Sequence, residues 1–281
     1  AGQYVSEAFV AAGANVRTAN KDVSCLSGLW KWALRKGITP ENIWAAQSLP
    51  KPKVTKAEKH REFTDNEISL LFNGKVVTTS EKRKPKLVGP SVLLKDFMAI
   101  AALSGMRVEE IAQLTVKDIA ATSVSTAPEA VPVAYFDITK AKTPAGIRKV
   151  PIHPALAGIV ARRTDKKKPG DSLWPELPEP KPGSPIEKSQ KVVKEFVAYR
   201  RAIGVDDRQE GQRQSRVTFH SWRRTFVTKA EQAGQSPHLI AFVVGHERPG
   251  MTLSVYSGGP LLDQLRGVVE SVRLLSGMSL A

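Results

Sequence analysis

The chain of 281 residues has a single cysteine, four tyrosines and only 27 acidic residues against 42 basic ones. With Cys25 alone, an internal disulfide framework is excluded, and a reducing, cytoplasmic setting is expected. Cys25 lies in the run VSCLSGLW between apolar neighbours, which predicts a buried structural thiol rather than a nucleophile. No apolar run approaches the ~20 residues that span a bilayer, so no membrane association is expected. Neither a signal peptide nor an internal repeat is evident, and the missing initiator Met suggests a fragment or a processed chain. A hydrophobic share of 41% and a charged share of 25% are ordinary for a soluble globular protein with room for about two domains.

What stands out is the formal charge of +15. A globular chain this basic calls for a polyanion, an acidic partner or an anionic membrane, with nucleic acid the first candidate and a merely solubilising surface the alternative. Residues 17–36 place Val23, Leu26, Trp30, Ala33 and Leu34 on one helical stripe that Gly37 ends. The stretch 48–62 (SLPKPKVTKAEKHRE) is Pro-broken and Lys-rich and reads as a basic linker. Residues 1–47 form a small helical unit before it, and 63–281 form the main domain.

That domain opens with a capping box, Thr64 to Glu67. A basic loop (TSEKRKPK) leads to an apolar helix over 94–103, which Gly105 breaks, and a second helix over 108–114. Two β-rich runs, VAYFDITK and IRKVPI, flank AKTPAG as a hairpin. Helices are expected over 186–202, 219–233 and from Pro237 to Gly245, and the polar run DDRQEGQRQSR is expected to be mobile. An amphipathic tail helix over 261–275 carries Leu261, Leu265, Val268, Val269 and Val272 on one face and must bury that face, either in cis or on a neighbouring protomer.

Within this frame a few residues invite chemistry. His220 and Arg223 stand three apart in HSWRR and project from one helix face, where the alternative is a solvated surface. His246 follows a helix end, where a cation also suits the dipole. Tyr256 lies in a polar, Gly-containing segment (MTLSVYSGG) from which a side chain can reach a substrate. Arg107 sits at the helix junction and would otherwise be an ion-pair partner of Glu109 or Glu110.

The order SGMRVEEIAQL, a Lys-bearing hairpin followed by IRKVPIHP, HSWRR, VGHERPG and a final Tyr resembles the tyrosine recombinases of the phage integrase family. The resemblance runs from Thr64 to Tyr256, and residues 1–47 look like the last part of that family's helical core-binding domain. It implies a mainly α fold with a small antiparallel β-sheet, α+β in class. It makes Tyr256 the nucleophile, Arg107 and Arg223 the phosphate clamp and Lys142 the general acid, with Lys140 as fallback. His220 and His246 become proton-transfer or hydrogen-bonding partners, and Glu110, or else Glu109, orients Arg107.

Elementary chemistry accounts for these residue types. A phosphodiester under attack gathers charge on its non-bridging oxygens, and Arg offers a permanently charged fork matched to them. A phenol with a pKa near 10 needs a base or a positive site, and the leaving hydroxyl needs a proton donor. With no carboxylate cluster beside these residues, no metal or other cofactor is expected. The resemblance further implies double-stranded DNA as partner and a homo-oligomer, tetrameric on DNA and a monomer or weak oligomer when free. Accessory DNA-bending or directionality proteins fit the same picture, in a bacterial or phage-encoded protein at the nucleoid. Relaxation of supercoils in the manner of a type IB topoisomerase, or DNA binding without catalysis, are the alternatives.

Overall fold

The computed structural model describes residues 7–8, 10–13, 15–50, 60–80, 83–122, 132–141, 143–210, 212, 214–246 and 259–274, without the side chains of 78–80 and 83–87. The chain divides into two compact units, residues 1–59 and 60–281.

In the first unit, helix α1 (Val16–Arg35) starts at Asn15, whose side chain accepts from the Arg17 amide. Ala19, Asn20, Val23 and Ala33 are buried. Asn20 is spent on the backbone of Leu49, donating to its carbonyl at 2.9 Å and accepting from its amide at 2.7 Å. Trp30 and Trp44 meet edge to face with ring centroids 5.9 Å apart. Cys25 is exposed, contrary to the expectation. Two residues beyond Val23 it lies about 200° around the helix and so faces away from the buried stripe.

In the second unit, α2 (Asp65–Asn73) begins at the anticipated Thr64–Glu67 capping box. The stretch read as a basic loop instead forms a hairpin, β1 (Val76–Ser80) antiparallel to β2 (Arg83–Val88). Its register shifts between Thr78 and Ser80, opposite Pro85. Proline lacks a ladder donor, and a bulge is where a strand accepts it. Helix α3 (Val92–Ser104) follows, nearly all of it buried, then the short α4 (Val108–Ala112).

A three-stranded antiparallel sheet comes next, with β4 (Val133–Ile138) between β3 (Ile119–Thr122) and β5 (Arg148–Pro151). Helices α5 (Ala157–Thr164), α6 (Gln190–Ala202), α7 (Ser221–Gln232), α8 (Pro237–Val244) and α9 (Leu262–Ser271) complete the unit. The fold is thus mainly α with a small antiparallel sheet.

Helix α3 is apolar on all sides and serves as the axis of the core, packing on α4, α6 and α7. Around it Phe97 stacks on Trp174 at 4.5 Å and Phe63 on Trp222 at 4.7 Å. Its one buried carboxylate, Asp96, is satisfied by Arg162 and Arg163. The two ends of the polar run expected to be mobile are tied down. Asp207 accepts from Arg61 at 2.6 Å and Arg216 at 2.7 Å, and Asp206 from Arg200 at 2.5 Å. Helix α9 buries Leu265, Val268, Val269 and Val272 against α7, α8 and β5 of its own chain, so these four are covered in cis, whereas Leu261, expected on the same face, is the N-cap before the helix and stays exposed. No helix among the described residues is long and apolar enough to cross a membrane.

Candidate active site

Two glycines shape the site. Gly105 ends α3 in the left-handed conformation (φ 65°), and Gly245 ends α8 in the same way (φ 64°). A Cβ at Gly105 would lie 2.7 Å from the Phe226 ring, and one at Gly245 would lie 2.9 Å from the Ala145 carbonyl oxygen and 3.0 Å from Arg148. Both positions therefore need glycine for conformation and for room. Gly245→Ala is expected to lower stability by ~1–3 kcal/mol, read as a drop in thermal midpoint of roughly 2–4 °C per kcal/mol.

Each turn delivers a site residue. After Gly105 the chain passes through Met106 to Arg107, whose amide donates to the Glu110 carboxylate at 2.9 Å and whose guanidinium meets the same carboxylate at 2.8 Å. Arg107 thereby keeps one edge on Glu110 while its side chain stays 38% exposed. After Gly245, the His246 amide closes on the Ala241 carbonyl at 3.0 Å, which sets His246 at the helix end.

Arg223, in the first turn of α7, is buried at 3% exposure, so the solvated-face alternative for HSWRR fails for this residue. Its guanidinium lies between two helix C-termini, donating to the Gly105 carbonyl at 2.7 Å and to the Val244 carbonyl. Helix ends leave carbonyls unpaired and carry partial negative charge, so together they make a socket for a buried cation. Burial, then the neighbouring charges of Arg107 and Arg148, push Arg223 down to about 9, which leaves it charged at neutral pH.

Glu110, 7% exposed, is the carboxylate that organises the cluster. Burial opposes its ionisation, but hydrogen bonds and charge from Arg148 and Arg107 outweigh it and hold the carboxyl below the usual range. Arg148, at the start of β5, was not anticipated from the sequence. It contacts Glu110 through two bonds of 3.0 and 3.2 Å. Glu109, the sequence alternative to Glu110, is committed elsewhere, accepting from Gln113 and from the amides of Lys188 and Ser189.

His220 stands at the N-cap of α7 and is exposed, so the solvated-face alternative for HSWRR holds for this residue, and His246 is exposed as well. Desolvation, followed by the positive fields of Arg223, Arg224, Arg107 and His246, lowers His220 to about 4. His246 is lowered likewise by desolvation and by Arg223, Arg107 and Arg148. At neutral pH both imidazoles are thus neutral and able to accept a proton. Five of the expected residues, Arg107, Glu110, His220, Arg223 and His246, come together here. Lys142 and Tyr256 lie outside the described residues. Of the other hairpin lysines, Lys140 is exposed, and Lys149 sits 4.8 Å over the Tyr135 ring.

Glu110 pairs with the guanidinium groups of Arg107 and Arg148 and acts on Arg223 only through its field, so one carboxylate faces three cations and the cluster is net positive. An anion entering it would relieve the repulsion that depresses both histidines, so binding takes up protons. Sulfate is therefore expected to raise the thermal midpoint more at pH 5 than at pH 7, and His220→Gln should remove much of the difference. Without an anion the sign is opposite. The folded protein binds fewer protons than the unfolded chain between about pH 4 and 6.5, so His220 makes stability fall as pH drops through that window.

The sequence model described as the phage integrase family matches residues 82–258. Among curated proteins no match was found. Among solved structures, a lambda integrase tetramer bound to a Holliday junction is 19% identical, with a TM-score of 0.57, covering 88% of this chain and 63% of that one. A lambda integrase (75–356) dimer bound to a COC′ core site is 18% identical, with a TM-score of 0.52 and coverage of 94% and 77%. The Tn1549 transposon integrase in complex with circular intermediate DNA is 18% identical, with a TM-score of 0.50 and coverage of 97% and 85%.

Proposed function

Because the chain belongs to the phage integrase family, we propose that it is a tyrosine-type site-specific recombinase that cuts and rejoins DNA through a 3′-phosphotyrosine intermediate. The observation that carries this reading is the excess positive charge of Arg107, Arg148 and Arg223 around one carboxylate, Glu110, with two neutral imidazoles, His220 and His246, beside it. Such a site is preorganised for a phosphate in which negative charge is growing.

In the proposed reaction the Tyr256 oxygen attacks the phosphorus, the bond to the 5′-oxygen breaks, and the protein becomes joined to the 3′-phosphate. Arg107 and Arg223 hold the non-bridging oxygens. The phenolic proton passes to His220, whose basicity rises once the phosphate offsets the surrounding cations. Lys142 delivers a proton to the departing 5′-oxygen, and His246 donates to a non-bridging oxygen. The phosphotyrosine keeps the bond energy, so attack by a second 5′-hydroxyl reverses the step without ATP. Two guanidinium groups supply the charge compensation, and the reaction as proposed includes no metal ion.

Residues 1–47 would serve as the last part of a core-binding domain and 48–62 as a basic linker, the two units together contacting backbone phosphates. Assembly as a tetramer on two DNA sites is part of the same proposal. Membership in this family favours recombination over topoisomerase-like relaxation and over binding alone. The test uses a nicked suicide duplex, built on the tightest binder selected from random-sequence DNA, that loses a short leaving strand on cleavage. A denaturation-resistant protein–DNA adduct formed in excess chelator is expected. Binding without adduct would overturn the recombinase reading, and an adduct that needs added Mg²⁺ would overturn the metal-free step.

A further inference from the structure

Arg148 binds three segments that are far apart in sequence. Its Nε donates to the Val243 carbonyl near the end of α8 at 2.6 Å, and Nη1 donates to the Gly146 carbonyl of the β4–β5 turn at 2.8 Å. The same guanidinium forks onto Glu110, Nη1 to Oε1 and Nη2 to Oε2. Its side chain is 7% exposed. Close packing reinforces the joint, because the Gly245 backbone lies against Ala145 and Arg148 with no room for a Cβ.

We infer that Arg148 is a positioning residue for DNA cleavage, fastening the hairpin turn, Glu110 and the end of α8 into one unit on which Arg107 and His246 depend. The inference rests on the recombinase reading above. Glu110 is the residue that holds Arg107 by both its amide and its side chain, so a carboxylate free to rotate would release a phosphate contact. The Val243 carbonyl lies three residues before His246, and the Gly146 carbonyl lies in the turn that follows Lys142. One planar side chain thus relates the clamp, the histidine and the general-acid hairpin.

Only arginine can do this. A planar guanidinium addresses a carboxylate with two parallel bonds while Nε points along a different line to a carbonyl. A lysine ammonium brings the same charge to one point and cannot reach all three partners together. A misplacement of ~1 Å in a reacting group is enough to cost about a hundredfold in rate.

Charge and geometry separate experimentally. His246 is faced by Arg223 from α7, Arg107 from the start of α4 and Arg148 from β5, with His220 beside it. Removing the Arg148 charge should therefore raise the His246 pKa, whereas a lysine there should not.

The experiment measures single-turnover adduct formation on the suicide duplex at saturating protein for the wild type, R148K, R148M, E110Q and the double variant R148K/E110Q. Thermal melting, DNA titration and NMR titration of His246 accompany it. R148K is expected to bind DNA as the wild type does and to titrate normally at His246, yet to cleave about a hundredfold more slowly. R148M should be as slow and should titrate at higher pH. The double variant should be no slower than the slower single one, since both break the same joint.

Wild-type cleavage rates in folded R148K would overturn the inference, as would a double variant whose loss is the product of the two single losses. Should R148K fail to fold, E110Q decides, and an unchanged rate there overturns the proposal. A wild type that binds but forms no adduct sinks the recombinase reading and takes this inference with it, an outcome distinct from slow variants of an active protein.

Discussion

Arg223→Lys is expected to slow DNA cleavage by ~10²–10³ while leaving a folded protein that still binds DNA. The buried guanidinium is held between the Gly105 and Val244 carbonyls at the ends of α3 and α8. A lysine can satisfy one of these carbonyls as a point charge, but it cannot keep the second bond and also present a fork to a phosphate. Arg223→Ala should be equally inactive and also less stable, since two buried carbonyl oxygens lose their donor at ~1–3 kcal/mol each. Comparing the two variants by single-turnover cleavage and urea melting separates catalysis from folding. If the lysine variant cleaves as fast as the wild type, the clamp assignment is wrong.

Tyr256→Phe should abolish adduct formation entirely, with DNA affinity little changed, because the substitution removes one hydroxyl and keeps the ring. Two of the remaining tyrosines have other work. Tyr199 donates its hydroxyl to the Gly74 carbonyl at 2.8 Å, and burial pushes it up to about 12, the opposite of what an attacking phenol needs. Tyr135 is 7% exposed in β4, with Lys149 over its ring. An adduct retained by Tyr256→Phe would require a different nucleophile and a different mechanism.

Much of this fold was legible because its signals are local. The Thr64–Glu67 box starts α2, Ser236-Pro237 starts α8, and Gly105 and Gly245 stop α3 and α8 where periodicity ends. The β1–β2 hairpin was missed because the lysines and proline of its second strand read as a basic loop. Cys25 misled because apolar neighbours in sequence are not neighbours on a helix face, and the ends of the polar run misled because Asp207 is held by Arg216 at the other end of the run and by Arg61, which lies far away in sequence.

Legibility of the site divides in the same way. Arg107, His220, Arg223 and His246 stand in short runs whose order along the chain is a signal in itself. Arg148 looks like one more strand residue in IRKVPI. Its partners Glu110 and Val243 lie 38 and 95 positions away, so nothing local marks it. The one available hint was an arginine at the edge of a hairpin whose turn glycine must pack closely, as Gly146 does against Ala141.

The central claim, covalent chemistry at one tyrosine, is tested most directly by isolating the adduct from the suicide duplex, trimming it with protease and nuclease, and locating the nucleotide-bearing residue by mass spectrometry. A 3′-phosphate joined to the oxygen of Tyr256 is the predicted result. Attachment to any other side chain, or a 5′-linkage, would contradict it.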